Sequence, residues 1–93
     1  MTLRGELLAE AKAITEGDRN TQYGDPVSTF AHAAAIFNAW TGQDLTAREG
    51  AIFLQCIKKV RRWQNPAHRD SYVDDMAYIG IEFECAQAEV EGG

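Results

Sequence analysis

Apolar residues recur every three or four positions in four separate stretches of the chain, and each stretch reads as an amphipathic helix. Leu3, Leu7, Ala11 and Ile14 mark the first, over residues 3–16, with Leu8 beside them. Gly17 is a natural residue to end it. Phe30, Ala33, Ala34, Phe37 and Trp40 form the stripe of a second helix over 26–41. Asp25 is placed to cap its free N–H groups, Pro26 fits the first helical position, and Gly42 closes it. Thr46-Ala47-Arg48-Glu49 is a capping box, and it opens a third helix over 47–63 with Phe53, Leu54, Ile57 and Val60 turned inward. Asn65-Pro66 breaks the chain. A fourth helix follows over 69–89, with Val73, Met76, Ala77, Gly80, Phe83 and Cys85 as its apolar members. Gly80, costly inside a helix, predicts a close helix–helix contact there, and Glu91-Gly92-Gly93 should fray.

The pattern predicts an all-α fold, a compact bundle of about four helices. At 93 residues it makes one domain. A domain this small buries only about 60–65% of the surface its unfolded chain exposes. Its core is therefore thin, and Trp40 and Trp63 near helix ends add apolar surface, so a homo-oligomer is expected. The connection 17–26 is long for a bundle, where about 2–8 residues is usual.

Charge changes the picture in one place. The net charge of −5 argues against general DNA or RNA binding, which needs a broad cationic surface. Yet five of the nine cations, Lys58, Lys59, Arg61, Arg62 and Arg69, crowd into one short stretch. Such a patch on an acidic molecule suits a small anion better than a long polyanion. Cys56 and Cys85 match no zinc spacing and are expected as buried core thiols. No stretch approaches the ~20 apolar residues of a membrane span, and no signal peptide is visible, so no membrane association is expected and the cytosol is the expected location.

Three groups of residues could carry chemistry. The loop Gly17-Asp18-Arg19 to Tyr23-Gly24-Asp25-Pro26 combines a cation, an aromatic ring and a helix start, where N–H groups attract phosphate and Tyr23 could stack on a base. Structurally, the same residues could cap, turn and plug a core. Lys59 and Arg62 lie one turn apart as a phosphate clamp, or else as cations meeting the helix dipole near its C-terminus. Asp70 and Asp74 lie one turn apart at a spacing that can hold Mg²⁺. Alternatively Asp70 decorates the first turn and Asp74, beside Val73 and Ala77, is partly buried and pairs with Lys59 or Arg62. His68, near the basic stretch, is a further candidate for a phosphate contact, whereas His32 has no obvious partner.

Together these residues form the pattern Gly-Asp-Arg-x3-Tyr-Gly-Asp-Pro, Phe30, Lys59-x2-Arg62 and His68-x-Asp70-Ser71-x2-Asp74-x3-Tyr78. Over residues 5 to about 86 it resembles a family of small uncharacterised phage and prophage proteins. More distantly the layout is similar to phage nucleotide-modification-associated domains and to MazG-like all-α NTP pyrophosphohydrolases. Those enzymes hold Mg²⁺ with carboxylates on two helices, a Glu-Glu-x-x-Glu helix and a later Glu-x-x-Asp helix. That resemblance implies Glu49 on one helix as a metal ligand, with Asp70, Asp74 and Asp75 able to supply the second set and Asp70 and Asp74 the leading pair. The chain departs from the pattern on its third helix, where Glu49 is already claimed by the capping box and Lys59 and Arg62 stand where acids would be expected.

Three functions follow as expectations. The first is a phage-type protein that binds a nucleotide or nucleotide-derived signal through Arg19, Tyr23, Lys59, Arg62 and His68, and sequesters it against host defence. The second is a Mg²⁺-dependent nucleoside triphosphate pyrophosphohydrolase using Asp70, Asp74 and Glu49. The third is an interaction module that inhibits a host enzyme.

Overall fold

A computed structural model describes residues 2–17 and 24–92. Among them four helices run in chain order: α1 (Leu3–Glu16), α2 (Pro26–Thr41), α3 (Ala47–Gln64) and α4 (Arg69–Gly92). No strand occurs among the described residues, so the all-α expectation holds.

Local signals set most of the helix ends. Thr2 caps α1, its hydroxyl accepting from the Gly5 N–H. Asp25 caps α2 by accepting from the Ser28 N–H at 3.2 Å, with Pro26 in the first turn. Gly42 ends α2 in the left-handed conformation, φ 74°. At the start of α3 the capping box forms in both directions: the Glu49 N–H donates to Thr46 Oγ1 at 3.1 Å, and the Thr46 N–H donates to Glu49 Oε1 at 3.0 Å. Gly17 closes α1 with a negative φ, and it is small by necessity, because a Cβ there would stand 2.7 Å from the Ala13 carbonyl oxygen.

α3 and α4 share the most extensive contact; α1 lies on α4, and α2 on α3 and, more lightly, α4. The short 65–68 connection makes α3 and α4 antiparallel neighbours. Side chains bridge this seam at seven-residue steps: Arg48 to Glu89, Gln55 to Glu82, and Arg62 to Asp75. Seven residues are close to two helical turns, so the three rungs stack along one line of each helix. Ala51, Ile81 and Cys85 fill the apolar interior beside them, with Val27, Phe30, Ala47 and Tyr78 packed around. Phe30 and Tyr78 meet as tilted rings with centroids 6.4 Å apart.

The structure corrects several expectations. α4 continues to Gly92, through the Glu91 and Gly92 expected to fray, and the Arg48–Glu89 pair at 3.4 Å tethers its last turns to α3. Gly80 is exposed, and a Cβ at that position would meet nothing within 4 Å, so no close helix contact explains it. Cys56 is exposed; only Cys85 is a buried thiol. Phe53, Val60 and Phe83, expected inside, point outward, and of the α2 stripe only Ala34 is buried. The inward positions go instead to Gln55, Ser71, Asp74 and Asp75. These polar groups tolerate burial because they bond to neighbouring side chains, three of them across the seam and Ser71 to His68.

Candidate functional site

The densest chemistry lies where the C-terminal half of α3 meets the first turns of α4. The rotation of α3 carries Lys58, Lys59 and Arg62 toward α4, while Arg61 is exposed. Lys58 Nζ donates to Asp74 Oδ2 at 2.8 Å, and both side chains are almost fully enclosed. Lys59 Nζ donates to Asp75 Oδ2 at 3.2 Å, and Arg62 Nη2 donates to the same oxygen at 2.7 Å. Asp74 therefore does need a partner, as its position between Val73 and Ala77 requires, but takes Lys58, not Lys59 or Arg62. Lys59 and Arg62 belong to Asp75, which the sequence pattern does not single out as an anchor. A signal exists: Arg62 and Asp75 continue the seven-residue ladder begun by Arg48–Glu89 and Gln55–Glu82, although that ladder is readable only once the two helices are known to be antiparallel.

The Arg62–Asp75 contact is single, not forked. Arg62 Nε and Asp75 Oδ1 are both buried with no hydrogen-bond partner. A bidentate pair would have used both. An unsatisfied buried polar group costs about 1–3 kcal/mol, so the pair is held short of its best geometry. Tyr72 fixes the guanidinium from one side, its ring centroid 5.1 Å from Arg62 Cζ. The Tyr72 hydroxyl in turn donates to the Pro66 carbonyl at 2.8 Å and latches the connection between the helices.

Beside this network lies a shallow hollow of about 490 Å³ lined by Lys59, Arg62, Trp63 and Pro66. Trp63, at its edge, is 87% exposed. More than half of the Lys59 side chain is also open to solvent. Three cations face two carboxylates here, leaving a local surplus of positive charge on an acidic molecule.

The other sequence-derived candidates fall elsewhere. His68 Nδ1 lies 2.7 Å from Ser71 Oγ at the start of α4, and the histidine does not line the hollow. Asp70 is exposed on the first turn of α4. Glu49 is bound into its capping box at the far end of α3, ~14 Å along the axis from Lys58 at 1.5 Å per residue. Glu49, Asp70 and Asp74 are therefore not gathered, and among the described residues no three His, Cys, Asp or Glu side chains converge on a common point. Arg19 and Tyr23 lie outside the described residues. Cys85, near the other end of the seam, has its thiol pushed above its ordinary pKa of 9.0 by burial, then by the charges of Glu89, Glu84 and Asp25. It is a packed thiol, not a nucleophile.

Residues 6–86 match the family model described as a domain of unknown function, DUF6378. The chain belongs to the DUF6378 family. All of the Lys58–Asp75 network and the capping box fall inside the matched DUF6378 segment. This DUF6378 chain is 29% identical over 86 residues to the Gene 55 protein of Mycobacterium phage D29, covering 92% of the chain and 57% of the relative. It is also 29% identical over 76 residues to the Gene 55 protein of Mycobacterium phage L5, covering 81% of the chain and 49% of the relative. The chain thus spans about half the length of the curated relatives it matches. No solved structure matches it. No helix among the described residues is long and apolar enough to cross a membrane.

Proposed function

We propose that this protein binds a nucleotide or another phosphate-bearing small molecule at the junction of α3 and α4, and holds it without turnover. The observation that carries the reading is the hollow bounded by Lys59, Arg62 and the open indole of Trp63. A phosphate beside Lys59 and Arg62 gains two charge-assisted donors. A base over Trp63 gains an aromatic face. Asp75 and Tyr72 fix the Arg62 fork before any ligand arrives, which lowers the ordering cost of binding. Because Asp74 and Asp75 neutralise most of the local positive charge, the site favours one or two phosphates over a polyanion. In a phage setting, a small binder of this kind would sequester a nucleotide-derived host signal.

The MazG-like resemblance carries a hydrolytic alternative to the same chain, with Glu49, Asp70 and Asp74 around Mg²⁺. The separation of Glu49 from the other two, and the engagement of Asp74 by Lys58, give that alternative less support. Inhibition of a host enzyme stands as a third reading.

The test incubates the purified protein with a mixed nucleotide pool and Mg²⁺, then examines the solution and the molecules released by heat denaturation. Intact nucleotide released only on denaturation, and lost in Arg62→Ala and Trp63→Ala, is the expected result. Pyrophosphate accumulating in solution, and abolished by Asp70→Asn, would establish the hydrolase instead. Empty fractions would sink both and leave the protein-inhibitor reading.

A further inference from the structure

α2 contains no Asp, Glu, Lys or Arg in its sixteen residues, within a chain of net charge −5. Ala34 is its one buried residue. Ala33, Ile36, Phe37 and Trp40 are all exposed, and their spacing puts them on one side of the helix. α3 answers with a second exposed stripe, Phe53, Cys56 and Val60, at successive steps of three and four residues, ending short of the hollow at Trp63. Between the two helices runs an apolar groove of about 420 Å³, with Ala33, Phe37, Phe53 and Leu54 among its walls. Two adjoining helices whose apolar stripes no other described helix covers have the form of half a four-helix bundle.

The total surface area leaves room for a partner. The chain exposes 6590 Å², whereas a monomer of 10.3 kDa exposes about 5,400 Å². Its radius of gyration is 14.3 Å, against about 12 Å for a compact domain of this length. The surplus of roughly 1,200 Å² exceeds the ~800 Å² that each partner contributes to a standard stable interface.

We propose that a second copy of this chain covers the α2/α3 face in a two-fold dimer, completing an apolar four-helix core. Charge selects both the occupant and the face. Two copies of an acidic chain repel, so they meet at least cost where neither carries charge, and α2 is that surface. α4 also carries an exposed apolar stripe, Ile79, Phe83 and Val90, but the exposed acids Glu84 and Glu91 flank it. A two-fold contact there would set carboxylate against carboxylate. A stripe without charged residues also gives an electrostatically steered partner nothing to recognise.

The test is sedimentation of the 93-residue protein over a hundredfold concentration range, alongside Phe53→Glu and Phe83→Glu. Both substituted positions are more than 60% exposed in the single chain, so the fold tolerates either change. The expected result is a dimer that Phe53→Glu weakens on the order of 100-fold or more, and that Phe83→Glu leaves intact. A wild-type monomer throughout, a dimer indifferent to Phe53→Glu, or a dimer broken by Phe83→Glu would each overturn the proposal. A second readout needs no variant. Alkylation of Cys56, on the α3 stripe, should slow as wild-type concentration rises, whereas a rate independent of concentration counts against the interface.

Discussion

The two long sides of α3 invert the usual relation between polarity and burial. Toward α4 it presents Gln55 and Lys58, which are withdrawn from water, and the half-buried Arg62, with Asp74 and Asp75 opposite. Away from α4 it presents Phe53, Val60 and Trp63, which are in water. Hydropathy alone assigns these sides the other way round. The seam can be polar because each charge there meets an opposite charge at hydrogen-bond distance, which offsets the desolvation that would otherwise expel it. The outer side can be apolar without being a folding error if its burial is completed by another copy of the chain. Under the proposed dimer, residues that look like core divide into two kinds, one serving the fold of a single chain and one serving contact between chains.

The largest way to break this contrast is Asp74→Ala. It strands the enclosed Lys58 ammonium, and chemical denaturation should register a loss of about 3–5 kcal/mol. The double replacement Lys58→Met with Asp74→Leu should recover most of that stability, since it removes both charges while keeping volume. If the double variant is as unstable as the single one, the pair is not what holds the seam. Next comes Ala51→Leu, at a fully buried position in the second turn of α3, where overpacking should cost about 1–3 kcal/mol in the same measurement. Phe53→Ser removes a far larger apolar side chain from the opposite side of the helix. In protein dilute enough to be monomeric it should change stability by only about 0.5 kcal/mol or less. A loss as large as that of Ala51→Leu would mean that the outer stripe is core after all.

The smallest effect concerns Cys85. Its raised pKa means that the folded chain keeps the thiol proton to higher pH than the unfolded chain does. That contribution is complete below the ordinary thiol pKa and is lost as pH rises through the folded value, because the unfolded chain then binds fewer protons. Wild-type stability should therefore fall more steeply above about pH 9 than that of Cys85→Ala, as denaturant midpoints across the alkaline range would register. Parallel slopes would show that the thiol is not desolvated.

The candidate site is legible in the sequence only in part. The crowding of Lys58, Lys59 and Arg62, the need of Asp74 for a partner, and the opposing acids of the next helix are all readable from spacing. The pairing is not. Neighbouring residues on a helix are about 100° apart, so the rotation of α4 about its own axis decides whether Asp74 or Asp75 faces a given cation, and that rotation is set by the packing of Val73, Ala77, Ile81 and Cys85. Trp63 reads in the sequence as surplus apolar surface, and its second role as a wall of the hollow follows only from its position beside Arg62. Nothing in the spacing marks Asn38. Its amide accepts from the Leu45 N–H at 2.7 Å and donates to the Leu45 carbonyl at 2.9 Å, which fixes the turn between α2 and α3.

What the amino-acid order determined by itself is the set of helices and most of their ends. Asp25-Pro26, Gly42 and Thr46-x-x-Glu49 act within a turn or two of themselves, so no distant residue is needed for them to work. Which side of each helix turns inward was decided only in three dimensions. α2 and α3 each offer apolar residues around much of their circumference, and periodicity names a stripe without naming its neighbour. The choice fell to α4, whose two buried aspartates drew the charged side of α3 against themselves and left its aromatic side facing out.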